Sequence, residues 1–372
     1  MLQIEGPYFK DKRGRTLMLR GINLGGNSRV PHTPRLPSHE FYGVYTEKVS
    51  FVDHPFPLKE ADKHFKRLQS WGFNFIRFLV TWEALESAGP GEYDEKYLDY
   101  VHALLKKAGE YGLMVIIDPH QDAWSRFCGG NGAPKWTHDL VGLNVEQFTA
   151  SEAAVLHHHQ KDDYPHMIWP TNYTKLACAT MFTLFFGGNH FAPQLKIGEL
   201  GIQDYLQQHY INAFSHLAKR LQDLPHVIGF EVMNDPSPGW IGHKDLKSYA
   251  YPLKKGICPS PLECMILGAG NPQQIERWDT TSRGPKSLGK AEANPRGIKV
   301  WAHGHSCIWK AHGVWKMADL GEPTLIQPDY FSKIQGREVD FQKDYLLPFM
   351  EKFARHIREN LPDALIYLRA GR

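Results

Sequence analysis

The stretch 227–238, VIGFEVMNDPSP, narrows the available folds more than any other. Its apolar residues Val227, Ile228, Phe230 and Val232 fall on both sides of an extended chain. That is the pattern of a strand covered on both faces, as in a parallel sheet. An amide and an acid, Asn234 and Asp235, stand at its C-terminal end, and Pro236 and Pro238 stop it. Parallel sheets carry their polar sites at that rim. Asn-Asp-Pro is also ordinary turn chemistry, so the other strand ends decide between site and turn.

The same unit recurs along the chain. Residues 17–24 (LMLRGINL) read as a buried strand ending in GGNSR, after a small hairpin over 9–19 that turns at 11–14. Residues 58–71 repeat apolar positions at helical spacing and are capped by Gly72. A second strand, 73–82 (FNFIRFLVTW), an amphipathic helix over 93–111 and a third strand, 113–118 (LMVIID), follow. The third strand runs into Pro119-His120-Gln121-Asp122. A helix over 201–221 leads to the strand 227–233, and a helix over 341–360 to a strand at 364–368. Two long stretches, 125–200 and 237–340, read as irregular insertions.

Alternating strands and helices predict an α/β chain with a parallel sheet. Right-handed crossovers leave a closed (β/α)8 barrel or an open doubly wound sheet. No G-x-G-x-x-G or P-loop pattern follows any strand, which removes the main support for a nucleotide fold. Polar residues close the first four strands: Asn27 and Arg29, Arg77, His120 and Asp122, then Asn234 and Asp235. A barrel gathers such tips at one mouth, and this convergence favours a site over a turn at Asp235.

The rim residues suit a hydroxyl-rich ligand, which needs donors and acceptors together and apolar faces for its ring. Arg29, Arg77, His120, Gln121, Asp122, Asn234 and Asp235 supply the polar set, and Trp82, Trp124, Trp136 and Trp240 are the aromatics nearest in sequence. Hydrolysis of a sugar linkage needs an acid to protonate the leaving oxygen and a second carboxylate about 5–5.5 Å away in retaining enzymes. Asp235 is the candidate for the first.

These motifs resemble glycoside hydrolase family 5. GINLGG, Arg77, DPHQD and the strand ending in Asn-Asp-Pro carry the general likeness, which covers essentially the whole chain. GNGAPKW (130–136), the stretch 167–193 and the later CIWKAHGVW and PDYF resemble the fungal endoglycoceramidase-related β-glucosidases, which act on glucosylceramide or steryl β-glucosides. The resemblance implies a single catalytic (β/α)8 TIM-barrel domain over 1–372, its N-terminal portion of about five strands, truncated before the rest and carrying the two insertions. It implies a retaining mechanism, a glucosylated lipid as partner, and no cofactor or metal. It also implies that His120, Asp122, Arg29 and Asn234 bind the glucose, that Arg77 steadies the carboxylates and that Asp235 is the acid/base. Gln121 and Trp136 complete the expected substrate-binding set.

Two departures stand out. The family motif is Asn-Glu-Pro, whereas this chain has Asp235, one methylene shorter. The strand-seven nucleophile of the family has no counterpart here, so these residues are expected to be inactive or nearly so, with a non-catalytic glycolipid-binding remnant or an incomplete gene product as the alternative. Glu231 shares the strand parity of Asp235 and reads as a structural acid before a catalytic one. The run His157-His158-His159 lies in an irregular stretch and reads as a solvated loop before a metal site. Tyr249, Tyr251, Trp240, Trp301, Trp309 and Trp315 either line an apolar groove for a lipid or pack the insertion.

Charge and cysteine content set the remaining bounds. With 43 Lys and Arg against 40 Asp and Glu, and no basic cluster interleaved with aromatics, nucleic acid is not indicated. The longest apolar run, 178–186, is too short to span a bilayer, and no secretion leader is apparent. Five cysteines in such a chain predict free thiols and a cytoplasmic location, and the lipid substrate that the resemblance implies adds transient contact with membrane surfaces. The sequon at Asn172 would then go unused, and a Cys258–Cys264 disulfide is disfavoured.

Overall fold

The computed structural model describes residues 2–35, 45–46, 48–156, 169–249, 251–319 and 321–368. The histidine run 157–159 lies outside the described residues. Five strands form one parallel sheet: β1 (Gly21–Leu24), β2 (Phe75–Val80), β3 (Met114–Pro119), β4 (Val227–Glu231) and β5 (Leu365–Tyr367). They pair in chain order, from β1 to β5. This is the arc of a (β/α)8 barrel that the sequence predicts.

The strands are held by burial. Phe78, Val80, Ile117 and Phe230 are fully buried, so apolar contact rather than backbone pairing alone fixes the sheet. Gly229 in β4 marks a close approach between strands, because a Cβ there would lie 2.0 Å from the Leu365 carbonyl oxygen of β5. Outside the sheet run α1 (Ala61–Ser70), α2 (Glu95–Glu110), α3 (Leu176–Phe191), α4 (Ile202–Arg220) and α5 (Leu347–Asn360). Asp94 caps α2 by accepting from the Tyr97 amide at 3.0 Å. Phe185 of α3, Tyr210 of α4 and Phe349 of α5 meet edge-on or tilted, with ring centroids 5.0–5.7 Å apart, and lock these three helices together.

Several expectations are corrected. The stretch 125–200 is not irregular throughout, because α3 fills 16 residues of it. That helix is buried on nearly every side, so it lacks the polar face that marks a helix in sequence. The stretch 237–340 contains a long antiparallel hairpin, Gln273–Thr281 with Gly284–Ala293. At the N-terminus Gln3–Glu5 pairs with Tyr8–Lys10. The predicted turn exists, with Asp11 accepting from the Arg13 and Arg15 amides, but it is followed by a single Lys10–Thr16 bridge rather than a strand to 19. Trp82 opens a short helix, Trp82–Glu86, capped by Thr81, instead of closing β2.

All five cysteines are free and buried. Asn172 is fully buried and exchanges hydrogen bonds with the Val155 backbone in both directions, at 2.7 and 2.9 Å.

Candidate active site

The C-terminal ends of β2, β3 and β4 and the loop after β1 bring together most of the predicted rim. Arg77 is the hub. Its Nε and Nη2 donate to the two Glu231 oxygens at 2.6 and 2.5 Å, and Nη2 also donates to Asn234 Oδ1 at 3.0 Å. Nη1 sits 2.9 Å from Asp118 Oδ2. A planar guanidinium is suited to such forked contacts. Burial works against the Arg77 charge, yet the Glu231 hydrogen bonds and the charges of Asp118, Glu231 and Asp235 together lift its pKa above the ordinary value.

From Asp118 the network runs outward. Asp118, fully buried, takes a 2.7 Å hydrogen bond from His120 Nδ1. His120 Nε2 faces Arg29 Nε at 3.0 Å and Asp122 Oδ2 at 3.3 Å. Burial depresses the His120 pKa, but hydrogen bonds and charge from Asp118 and Asp122 carry it above the usual imidazole value. For Asp122 burial raises the pKa, and His120, the Asn131 amide at 2.9 Å and the Arg29 charge bring it below the usual carboxylate value. Arg29 stays half exposed, its side chain 51% accessible, so the network opens to solvent on that side.

Asn234 and Asp235 form the corner where β4 ends. The Asn234 amide donates to the Pro119 carbonyl at 3.0 Å and its Nδ2 to the Gln121 carbonyl at 2.9 Å. Gln121 Nε2 donates back to the carbonyls of Asn234 and Asp235 at 2.6 and 2.9 Å. These crossed bonds hold Asp235 at a φ of 41°, in the left-handed region that Asp tolerates better than most residues.

Two predicted binders are placed elsewhere. The buried Gln121 amide is engaged with backbone, including the Trp124 amide at 3.0 Å, and shapes the corner rather than facing a ligand. Trp136 is 7% exposed, donates to the Glu86 carbonyl at 2.8 Å and packs edge-on to Trp82 at 5.3 Å. Trp82 and Trp124 belong to the same buried cluster, so none of the three offers a ring face to the mouth. Asp118 and Asn131 are part of the network but absent from the predicted set. Asp118 was signalled by an acid two residues before His120, on the same side of the strand.

Next to the corner, a cavity of about 430 Å³ begins at Ser237 and Pro238. Its walls are largely apolar, with Tyr173, Trp240, Tyr249 and Tyr251 among them. Trp301, Trp309 and Trp315 are buried and pack the insertion instead. Among the described residues no group of three His, Cys, Asp or Glu side chains is placed to hold a metal ion.

The cellulase profile of glycosyl hydrolase family 5 matches residues 44–258. A glucosylceramidase of Rhizopus delemar is 44% identical over 96% of this chain and 54% of its own length. An ergosteryl-β-glucosidase of Saccharomyces cerevisiae is 38% identical over 87% of this chain and 49% of its own. The crystal structure of Cryptococcus neoformans sterylglucosidase 1 superposes with a TM-score of 0.93 at 39% identity, over 98% of this chain and 56% of that one. The chain thus spans about half the length of the curated relatives it matches. With the parallel arc, the Arg77 network and the Asn234-Asp235 corner in view, these likenesses settle the family: the chain belongs to glycoside hydrolase family 5.

Proposed function

We propose that this chain forms the sugar-binding and acid side of a retaining β-glucosidase whose substrate is a glucosylated lipid. The observation that carries the reading is the adjacency of two unlike surfaces at one corner. On one side of Asp235 stands a ring of donors and acceptors, Arg29, His120, Asp122 and Asn234. On the other an apolar cavity starts two residues further on, at Ser237. A glucoside of a hydrophobic alcohol has this division, with its scissile oxygen at the boundary. The relatives named for glucosylceramide and ergosteryl glucoside hydrolysis agree with it.

In this mechanism Asp235 protonates the aglycone oxygen and later deprotonates water, with a covalent glucosyl intermediate on a carboxylate opposite. Arg77 holds Glu231 and Asn234 in place and occupies both Glu231 oxygens. Among the described residues the other rim acids, Asp118, Asp122 and Glu231, each already face a cation or an imidazole. We therefore read these 372 residues alone as a poor catalyst that retains glucoside binding. Turnover of a fluorogenic β-glucoside tests this directly. Near-zero turnover with measurable sugar binding is expected of these residues by themselves, and rapid turnover would overturn the reading. A cytoplasmic site of action with access to membrane glycolipid fits the same picture.

A further inference from the structure

Charge is distributed unevenly along the chain. Residues 244–299 hold ten Lys and Arg against five Asp and Glu, an excess of five, whereas the whole chain is +3. The remainder is therefore net negative by two. Within that segment lies the antiparallel hairpin Gln273–Thr281 with Gly284–Ala293. The ten residues 281–290 around its turn include Arg283, Lys286 and Lys290 and no acid, and nearly all are exposed. Leu288, beside the irregularity that shifts the register, is 47% exposed. Core packing does not account for this outer half, since little of it is buried.

The middle of the hairpin is tied to the wall of the apolar cavity through a short third strand. Gly256–Ile257 pairs with Arg277 and Trp278, and the Lys254 ammonium lies 4.2 Å from the Trp278 ring centroid. Tyr249, Tyr251 and Pro252 on one side of Gly256, and Pro259 on the other, line the cavity wall. Of the two acids beside these residues, Asp279 is paired with Lys255 at 2.8 Å, and Glu276 stands opposite Lys290 in the ladder and accepts from Ser287 Oγ; residues 281–290 themselves carry only cations.

We propose that the outer half of this hairpin docks on an anionic bilayer surface and sets the mouth of the neighbouring cavity against it. Clustered cations are drawn to anionic headgroups within a Debye length, and an exposed leucine adds shallow insertion. The proposal deepens the glucosylated-lipid reading, because such a substrate has to be drawn out of a bilayer. Docking does not depend on cleavage, however, so the two are tested separately.

The test is co-sedimentation of the protein with phosphatidylcholine vesicles, with and without phosphatidylserine, at low and high salt. Binding to the anionic vesicles alone, weakened by salt, is expected. Replacing all three cations (Arg283→Ala, Lys286→Ala, Lys290→Ala) removes roughly fivefold in partition per residue, about 100-fold together. The melting temperature should not change, because the side chains are exposed. Equal binding to neutral vesicles, or a triple variant that binds like the parent, overturns the proposal. So does displacement by single-stranded RNA as readily as by anionic vesicles, which would give the ribbon to nucleic acid. Binding to a soluble β-glucoside is measured on the same triple variant and stays unchanged. Failure of the membrane contact and failure of the glucosidase reading thus appear in different assays.

Discussion

Arg77 and Glu231 are joined by two parallel hydrogen bonds, Nε to Oε1 at 2.6 Å and Nη2 to Oε2 at 2.5 Å. The pair reaches across β3, from β2 to β4, and both side chains are mostly buried, at 15% and 13% exposure. Removing one partner of such a pair strands the other charge. Arg77→Ala should therefore cost roughly 3–5 kcal/mol of stability, because Asp118 and Glu231 lose their common cation. Arg77→Lys, which keeps the charge but not the fork, should lose less. Urea denaturation measures both, and a loss below about 1 kcal/mol for Arg77→Ala would remove Arg77 as the hub.

Asp235 carries the proposed proton transfer from a corner with a φ of 41°. Asp235→Glu should place the carboxyl about 1 Å nearer a glycosidic oxygen and, where a nucleophile is supplied, raise turnover on the order of 100-fold. Asp235→Asn should lower it by about 10²–10⁴-fold for an alkyl glucoside. The loss should be much smaller for a nitrophenyl glucoside, whose leaving group needs no proton. Equal losses on both substrates would deny Asp235 the acid role.

The apolar cavity should govern only the lipid end of the substrate. Tyr251→Ala takes an aromatic face from its wall, which should weaken binding of a long-chain glucoside roughly tenfold. The affinity for a short water-soluble glucoside should stay where it was. Titration calorimetry with the two ligands separates this result from a general loss of folding, which would weaken both.

How far the sequence reaches differs by feature. The three inner strands of the arc were legible because a strand buried on both faces must be apolar on both and must end in polar residues where it leaves the sheet. The edge strand β1, expected as a buried strand over 17–24, is only Gly21–Leu24 and is partly exposed. The helix α3 was not legible, since burial on nearly every side erases the polar face that periodicity detects. Arg29, His120, Asp122, Asn234 and Asp235 were legible as residues just past strand ends, whereas Arg77, read as closing its strand, is the third of the six residues of β2. Gln121 and Trp136 look the same in sequence whether they meet a ligand or the backbone. Their partners, the carbonyls of Asn234, Asp235 and Glu86, are fixed only by tertiary packing.

His138 gives a stability prediction independent of the site. It is fully buried, with Ser125 Oγ 2.8 Å from Nε2, and its pKa is lowered to about 3 by burial and then by the Lys135 charge. Unfolding restores the ordinary value of 6.5, so between pH 6.5 and about 3 the unfolded chain binds the extra proton. This contribution to stability is thus complete above pH 6.5 and falls with pH below it, by about 1.4 kcal/mol per unit. Thermal unfolding across this range should show a flatter profile for His138→Gln than for the parent. Parallel profiles would mean that His138 titrates normally in the fold.

The measurement that decides most is a crystal structure of the protein with a bound β-glucoside. The glucose ring should sit within hydrogen-bond reach of Arg29, His120, Asp122 and Asn234, with its glycosidic oxygen facing Asp235 and its aglycone entering the cavity beyond Ser237. A sugar bound away from that ring, or one whose glycosidic oxygen turns from Asp235, would contradict it.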